Sequence, residues 1–182
     1  MKNPHEIINQ LSPDDALAVL KTLARDDESL AARIAEVATA HLSEVDPEDV
    51  AFELYHELDS LEVEEIWDRA GPSRHGYVSP GEAADEAVDE ILKPYLGELE
   101  KYQVLGMKAE ANRTCMGLLL GLYRFEDQSA SSFKEWAPDT AGIFADAVVD
   151  AWKAGSPSRA DVKALKAFIE EELSGWGPRL VW

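Results

Sequence analysis

Ser12-Pro13-Asp14-Asp15 is the first of three similar helix-start signatures, and it is followed by Asp46-Pro47-Glu48-Asp49 and Ser79-Pro80-Gly81-Glu82. Each signature has a side chain that can cap a helix, a proline at the first helical position and a carboxylate two residues beyond that proline. These groups satisfy free backbone N–H groups at a helix start and interact favourably with the helix dipole. The prolines are 34 and 33 residues apart, a spacing typical of helical repeats. The sequence therefore predicts an all-α protein.

The rest of the chain fits the same fold class. Apolar residues recur at helical spacing in most segments, and no run that alternates apolar and polar residues exceeds four residues, so strands are not expected. The predicted elements are helical hairpins near 12–45, 46–78 and 79–105, helices at 107–125, 138–153 and 158–173, and an aromatic C-terminal tail. Pro94 either kinks the third hairpin's first helix or opens a new helix. We expect a single domain over 1–182, either an α-solenoid-like stack of hairpins of the HEAT or tetratricopeptide kind or a compact helical bundle.

The helix at 107–125 has the features of a central, buried helix. Its apolar stripe is nearly continuous, and its second half is apolar on most sides. Gly117 and Gly121 lie on one face, where the loss of side chains permits another helix to approach closely. Cys115 lies on the apolar stripe, so we expect a buried core thiol.

The net charge of −19 comes from 36 acidic and 17 basic residues. Binding to a phosphate backbone depends on Lys and Arg, so a nucleic-acid partner is not expected. The segment from Ile34 to Asp68 contains acidic residues but no Lys or Arg. This segment forms either a solvated surface that keeps the protein soluble or a docking surface for a basic protein partner.

The chain shows no signal for a membrane or for secretion. No apolar region follows Met1-Lys2-Asn3-Pro4, and the one cysteine cannot form an internal disulfide. The longest apolar run, from Cys115 to Tyr123, is much shorter than the roughly 20 residues that span a bilayer. The sequence predicts a cytoplasmic protein.

The segment Arg74-His75-Gly76-Tyr77-Val78 is followed by Glu82-Ala83, by apolar helical positions and by a turn at Gly106. Over about residues 15–125 this pattern resembles the helical region found downstream of the SWIM zinc finger in some bacterial proteins. The zinc finger itself needs several Cys and His ligands, which a single Cys cannot supply. The resemblance therefore implies a helical scaffold without metal-binding or DNA-binding activity.

The segment from Asp68 to Val78 is the most unusual loop. It brings together Arg69, Arg74, His75 and Tyr77 directly after the acidic segment. Irregular loops of this kind often carry function. In one interpretation the arginines pair with nearby carboxylates and Tyr77 packs at the next helix start. In a second, the loop recognises a partner together with the acidic residues before it, which are Glu62, Glu64 and Glu65. In a third, His75 acts as a general acid or base.

A metal site is a weaker hypothesis. Glu53 and His56 have the spacing with which helical bundles hold di-iron or di-manganese centres, but such a centre needs a second pair of this kind, which the sequence lacks. We therefore predict no cofactor and no metal.

The C-terminal tail is the other candidate surface. Trp176 and Trp182 lie among glycine and proline, so the tail either mediates self-association or folds back as a cap.

The sequence as a whole favours a non-enzymatic helical protein-interaction module with an acidic surface. The alternatives are a small helical metal-binding protein or enzyme that uses Glu53 and His56 or His75, and a structural protein that self-associates.

Overall fold

The computed structural model describes residues 3–74, 76–177 and Leu180. These residues form an all-α fold, as predicted. They divide into two compact units, with the boundary between Glu44 and Val45.

The first unit consists of a short helix and a helical hairpin. Its helices are α1 (Pro4–Ile8), α2 (Pro13–Asp26) and α3 (Glu28–Leu42). Asp27 ends α2 and caps α3, because its carboxylate accepts hydrogen bonds from the backbone N–H groups of Ser29 and Leu30. Helices α2 and α3 pack against each other, yet neither contains a buried residue.

The second unit contains the remaining helices and one small hairpin of strands. In chain order these are α4 (Pro47–Asp59), α5 (Val63–Arg69), β1 (Gly71–Ser73), β2 (Gly76–Val78), α6 (Pro80–Val104), α7 (Lys108–Gln128), a 3₁₀ helix η1 (Ser132–Glu135), α8 (Thr140–Ala154) and α9 (Arg159–Glu172). Helix α7 is central, as expected, and packs against α4, α6, α8 and α9. Sequential stacking of hairpins would pair α4 with α5, but α4 lies mainly against α7 and α5 against α6. The structure therefore does not confirm a stacked-repeat arrangement.

The helix starts are confirmed in atomic detail. The side chains of Ser12 and Ser79 each accept a hydrogen bond from the backbone N–H three residues later, at 3.2 Å. Asp46 accepts one from the backbone N–H of Glu48 at 2.9 Å. Ser158 caps α9 in the same way as Ser12 and Ser79. Local capping chemistry therefore sets where these helices begin.

The close approach expected at Gly117 and Gly121 is also confirmed. A Cβ atom on Gly117 would lie 2.7 Å from the carbonyl oxygen of Pro47 and from Cβ of Val50, and one on Gly121 would lie 3.1 Å from the carbonyl oxygen of Ala51. A side chain at Gly117 would therefore force α4 and α7 to shift, and one at Gly121 would need its neighbours to give by a few tenths of an ångström. The two glycines thus permit the close approach of α4 and α7.

Two local elements differ from the prediction. The region 79–105 is a single helix and not a hairpin, because α6 continues through Pro94. Leu92 and Leu99, on either side of this proline, are fully buried, and their packing outweighs the lost hydrogen bond. The region 46–78 ends in the antiparallel pair β1–β2, which is too short to produce an alternating sequence pattern.

Candidate functional site

Arg69 ends α5 and connects it to α6. Its guanidinium lies 2.9 Å from the carboxylate of Glu90 on α6 and 3.9 Å from that of Glu65, one turn earlier on α5. The side chain is 30% exposed. The pairing with nearby carboxylates, which the sequence suggested as one interpretation, is therefore present for Arg69.

The strand pair β1–β2 presents the next candidate residues. Tyr77 lies on β2 opposite Pro72 and is 70% exposed. Arg74, between the two strands, is also exposed. The glycines Gly71 and Gly76 have φ angles of 129° and 135°, which L side chains rarely adopt. His75 lies outside the described residues.

The three candidate acids lie at the start of α5, where Glu62 is the N-cap residue and Glu64 and Glu65 belong to the first turn. Glu62 and Glu65 form a capping box, in which the backbone N–H of Glu62 donates to Oε1 of Glu65 at 3.3 Å. These two residues therefore stabilise the start of α5. Glu64, between them, is exposed.

An exposed pair of tryptophans lies in the same part of the molecule. Trp67 of α5 and Trp136, which follows η1, are 53% and 38% exposed. Their rings meet edge to face, with 4.9 Å between the centroids and 76° between the planes. We call these two residues the aromatic patch. Sequence reasoning missed it, because no local signal connects residues that are 69 positions apart.

Acidic residues flank the aromatic patch in the sequence. Asp68 follows Trp67 and Glu135 precedes Trp136, and both acids are exposed. The carbonyl oxygen of Trp136 lies 4.0 Å from the position of a Cβ atom on Gly81. The patch is therefore built where α5, η1 and the first turn of α6 come together.

Glu53 and His56 are both exposed on α4. The His56 ring contacts the rings of Phe52 and Tyr55 edge to face, at 4.2 and 5.2 Å. Among the described residues, no group of three or more His, Cys, Asp or Glu side chains is arranged to hold a metal ion. The geometry of the described part of the chain therefore gives the metal hypothesis no support.

Two other titratable groups are stabilised in their neutral forms. Burial, and then the negative charge of Glu57, raises the pKa of Tyr95, whose hydroxyl forms a hydrogen bond with Glu57. Burial also raises the pKa of the Cys115 thiol. Because a thiolate and not a thiol is the nucleophile, this cysteine has the properties of a core side chain.

The described part of the C-terminal tail folds back onto α7. Trp176 is only 3% exposed; its indole N–H donates to Oε2 of Glu126 at 2.6 Å, and its ring meets Tyr123 edge to face at 5.6 Å. Trp176 therefore packs as expected for a tail that folds back as a cap. Trp182 lies outside the described residues.

Comparison with known proteins yields no matching protein family, no matching curated protein and no matching solved structure. The resemblance to the region downstream of SWIM zinc fingers therefore stays a prediction. Separately, none of the described helices is both long and apolar enough to cross a membrane.

Proposed function

We propose that this protein is a non-enzymatic interaction module that binds a basic segment of a partner protein at the aromatic patch. The observation that carries the proposal is the exposure of Trp67 and Trp136 as a contacting pair. Tryptophan is the residue type most enriched among the side chains that dominate binding energies at protein interfaces.

The surrounding charge supports a basic ligand. Glu64, Asp68 and Glu135 are exposed beside the patch in the sequence, and the chain as a whole carries a charge of −19. A Lys or Arg side chain gains cation–π attraction from a tryptophan face within about 6 Å of the ring centroid. The flanking carboxylates would add attraction and steer the approach of the ligand.

The neighbouring strand pair extends the proposed surface. Tyr77 and Arg74 are exposed on it, whereas Arg69 is engaged with Glu65 and Glu90. In the proposal Arg69 holds α5 in place, and Tyr77 contacts the partner.

A peptide library displayed on phage would test the proposal with a defined probe. Selection on the intact protein should enrich sequences rich in Lys and Arg. Trp67→Ala should weaken binding of a selected peptide by more than tenfold, about 1.4 kcal/mol, measured by calorimetry. The control is Phe52→Ala, which removes an aromatic side chain of α4 that is 61% exposed and should leave binding unchanged.

Charge and loop variants refine the same test. Charge reversal at Glu64, which is exposed and takes no part in the capping box of Glu62 and Glu65, should weaken peptide binding most at low salt, where screening is least. Tyr77→Ala removes an exposed aromatic side chain and should also weaken binding while circular dichroism stays unchanged, whereas Arg74→Ala removes a positive charge and should not weaken binding of a basic peptide. Enrichment of acidic peptides, or equal binding by the Trp67 and Phe52 variants, would refute the proposed surface.

A further inference from the structure

Helix α9 presents a row of basic side chains in an otherwise acidic protein. Arg159, Lys163 and Lys166 are exposed, and their spacing of four and three residues places them on one face of the helix. We call these three residues the basic stripe. Leu165 and Ile169 lie on a different face and are buried. Helix α9 is therefore held to the rest of the second unit by its apolar side and exposes the basic stripe to solvent.

The basic stripe is available for an ionic contact. Asp161 is the one acidic residue between Ser158 and Lys166, and its carboxylate accepts a hydrogen bond from the backbone N–H of Ser158 at 2.8 Å. This bond is part of the capping box of α9. Within the described part of the chain, neither Arg159 nor Lys163 has a carboxylate at ion-pair distance. A negatively charged partner can therefore reach both residues without displacing an existing pair.

The acidic side of the aromatic patch has a matching spacing. Glu64 and Asp68 are exposed on α5 and lie four residues apart, so their side chains are neighbours one turn apart, with Trp67 beside them. Arg159 and Lys163 are also four residues apart. A rise of about 1.5 Å per residue separates the two members of each pair by about 6 Å along the helix axis. Two ion pairs can therefore form together when α9 of one molecule lies along α5 of another.

We propose that the basic segment bound by the aromatic patch is α9 of a second copy of this chain, an inference that rests on the proposed function. Complementary charge selects this occupant, because α9 carries the basic stripe and α5 carries Glu64 and Asp68. Ala160 and Ala164 lie beside the stripe and are exposed, so their short side chains leave room for the rings of the patch. A cation of the stripe then gains cation–π attraction from a tryptophan face.

The proposed contact joins two different surfaces of the second unit. Helix α9 packs against α7, and α5 packs against α6. Each molecule therefore offers one aromatic patch and one basic stripe. A contact between unlike surfaces is head-to-tail, and such contacts close into rings or continue as open filaments. The mass of the assembly should therefore rise with protein concentration.

Sedimentation velocity on the intact chain tests the proposal. We expect a monomer of 20.1 kDa at low concentration and heavier species as the concentration rises. A salt concentration of about 0.15 M is suitable, because its Debye length of about 8 Å screens the repulsion between remote acidic residues. Lys163→Glu should shift association to at least tenfold higher protein concentration. Lys21→Glu is the matched control, since it makes the same change of charge at an exposed residue of α2, which belongs to neither surface. It should leave the mass distribution unchanged.

A pair of charge-reversed chains separates this contact from any other mode of association. One chain carries Glu64→Lys with Asp68→Lys, and the other carries Arg159→Glu with Lys163→Glu. Neither chain should associate by itself, because its patch and its stripe then have charges of the same sign. An equimolar mixture should associate as the parent does, since the patch of each chain meets the stripe of the other. Circular dichroism verifies that both chains keep their helices.

The outcomes distinguish this inference from the proposed function on which it rests. A parent chain that stays monomeric up to its solubility limit would overturn the inference, as would a mixture of the reversed chains that stays monomeric. If basic peptides still bound at Trp67 in that case, the patch would remain a binding site and α9 would be excluded as its ligand. Association that Trp67→Ala leaves unchanged would also overturn the inference, because the contact would then lie outside the patch.

Discussion

Helices α2 and α7 are both amphipathic, but α7 has many buried residues and α2 has none. Helix α7 has 21 residues, of which eleven are buried, and α2 has 14 residues, none of them buried. In the second unit four helices surround α7, whereas in the first unit α2 has α3 beside it. Amphipathic spacing thus indicates that a helix needs a packing partner, but it does not tell whether the same unit supplies one.

The difference follows from the residues at the helix contacts. The contact between α7 and α4 is close because Gly117 and Gly121 carry no side chain, and Leu118 and Leu122 beside them are fully buried. The contact between α2 and α3 uses alanines, and the leucines around them stay about half exposed. The tight contact in the second unit is thus made through glycines, and the more open contact in the first unit through alanines.

The largest expected effect is that of creating a cavity in the core around α7. Leu118 is fully buried, and Leu118→Ala should lower the free energy of unfolding by about 2–5 kcal/mol, because it removes packing and leaves a cavity. Val19→Ala in α2, where the side chain is 45% exposed, should change it by no more than about 0.5 kcal/mol. Urea unfolding of both variants measures the contrast, and equal losses would mean that the two helices are packed alike.

The glycines of α7 give the next contrast. Gly117→Ala would place Cβ 2.7 Å from a backbone oxygen of α4, so the helices must move apart, at a cost of about 1–3 kcal/mol. Gly97→Ala in α6 meets nothing within 4 Å and should be neutral or stabilise the protein by up to about 1 kcal/mol. If the two melting temperatures moved by the same amount, the close approach of α4 and α7 would not be a constraint on the fold.

The sequence predicts the local parts of this fold well. The capping side chains bond to backbone N–H groups no more than three residues away, so their effect can be predicted from the adjacent sequence. They are those of Ser12, Asp46, Ser79 and Ser158. Pro94 is different, because the burial of Leu92 and Leu99 by other elements decides that α6 continues. The partners of α4 and α5 are likewise set by tertiary packing.

The candidate site could be predicted only in part. The sequence identified the segment after α5 as unusual, and Tyr77 is exposed there. It could not identify the pairing of Trp67 with Trp136, since the contact depends on how η1 packs beside α5. It also could not decide between an exposed and a buried Trp176, because the deciding hydrogen bond is to Glu126, 50 residues away.

The C-terminal segment gives a smaller contrast within the second unit. Trp176→Phe keeps an aromatic side chain but removes the N–H that donates to Glu126 at 2.6 Å and part of the buried indole, and should cost at least about 1–2 kcal/mol because a charged acceptor loses one donor and a small cavity is left. Trp67→Phe, at a side chain that is 53% exposed, should stay within about 0.5 kcal/mol of the parent. Chemical unfolding of these two variants tests whether the contacts of Trp176 stabilise the second unit. Equal stability of the two variants would show that they do not.

The smallest expected effect concerns the start of α6. The carboxylate of Glu82 accepts a hydrogen bond from the backbone N–H of Ser79 at 2.7 Å, and this bond is the main reason that the pKa of Glu82 lies below its ordinary value of 4.5. A lowered pKa in the folded state means that the charged form stabilises the fold. That contribution is complete above the ordinary pKa and disappears as the pH falls through the lowered one.

Glu82→Gln keeps a side-chain acceptor for the capping box but removes the charge. The parent should therefore be slightly more stable than this variant at pH near 7, and the difference should shrink as the pH is lowered below the ordinary pKa of the carboxyl group. Glu86→Gln is the control, since it removes an equal charge from an exposed position one turn later in the same helix. Urea midpoints measured across this pH range should separate the two variants, because of these two carboxylates it is that of Glu82 that accepts a hydrogen bond from the N-cap residue of α6. A Glu86 variant with the same pH dependence would instead attribute the effect to the net charge of the acidic surface.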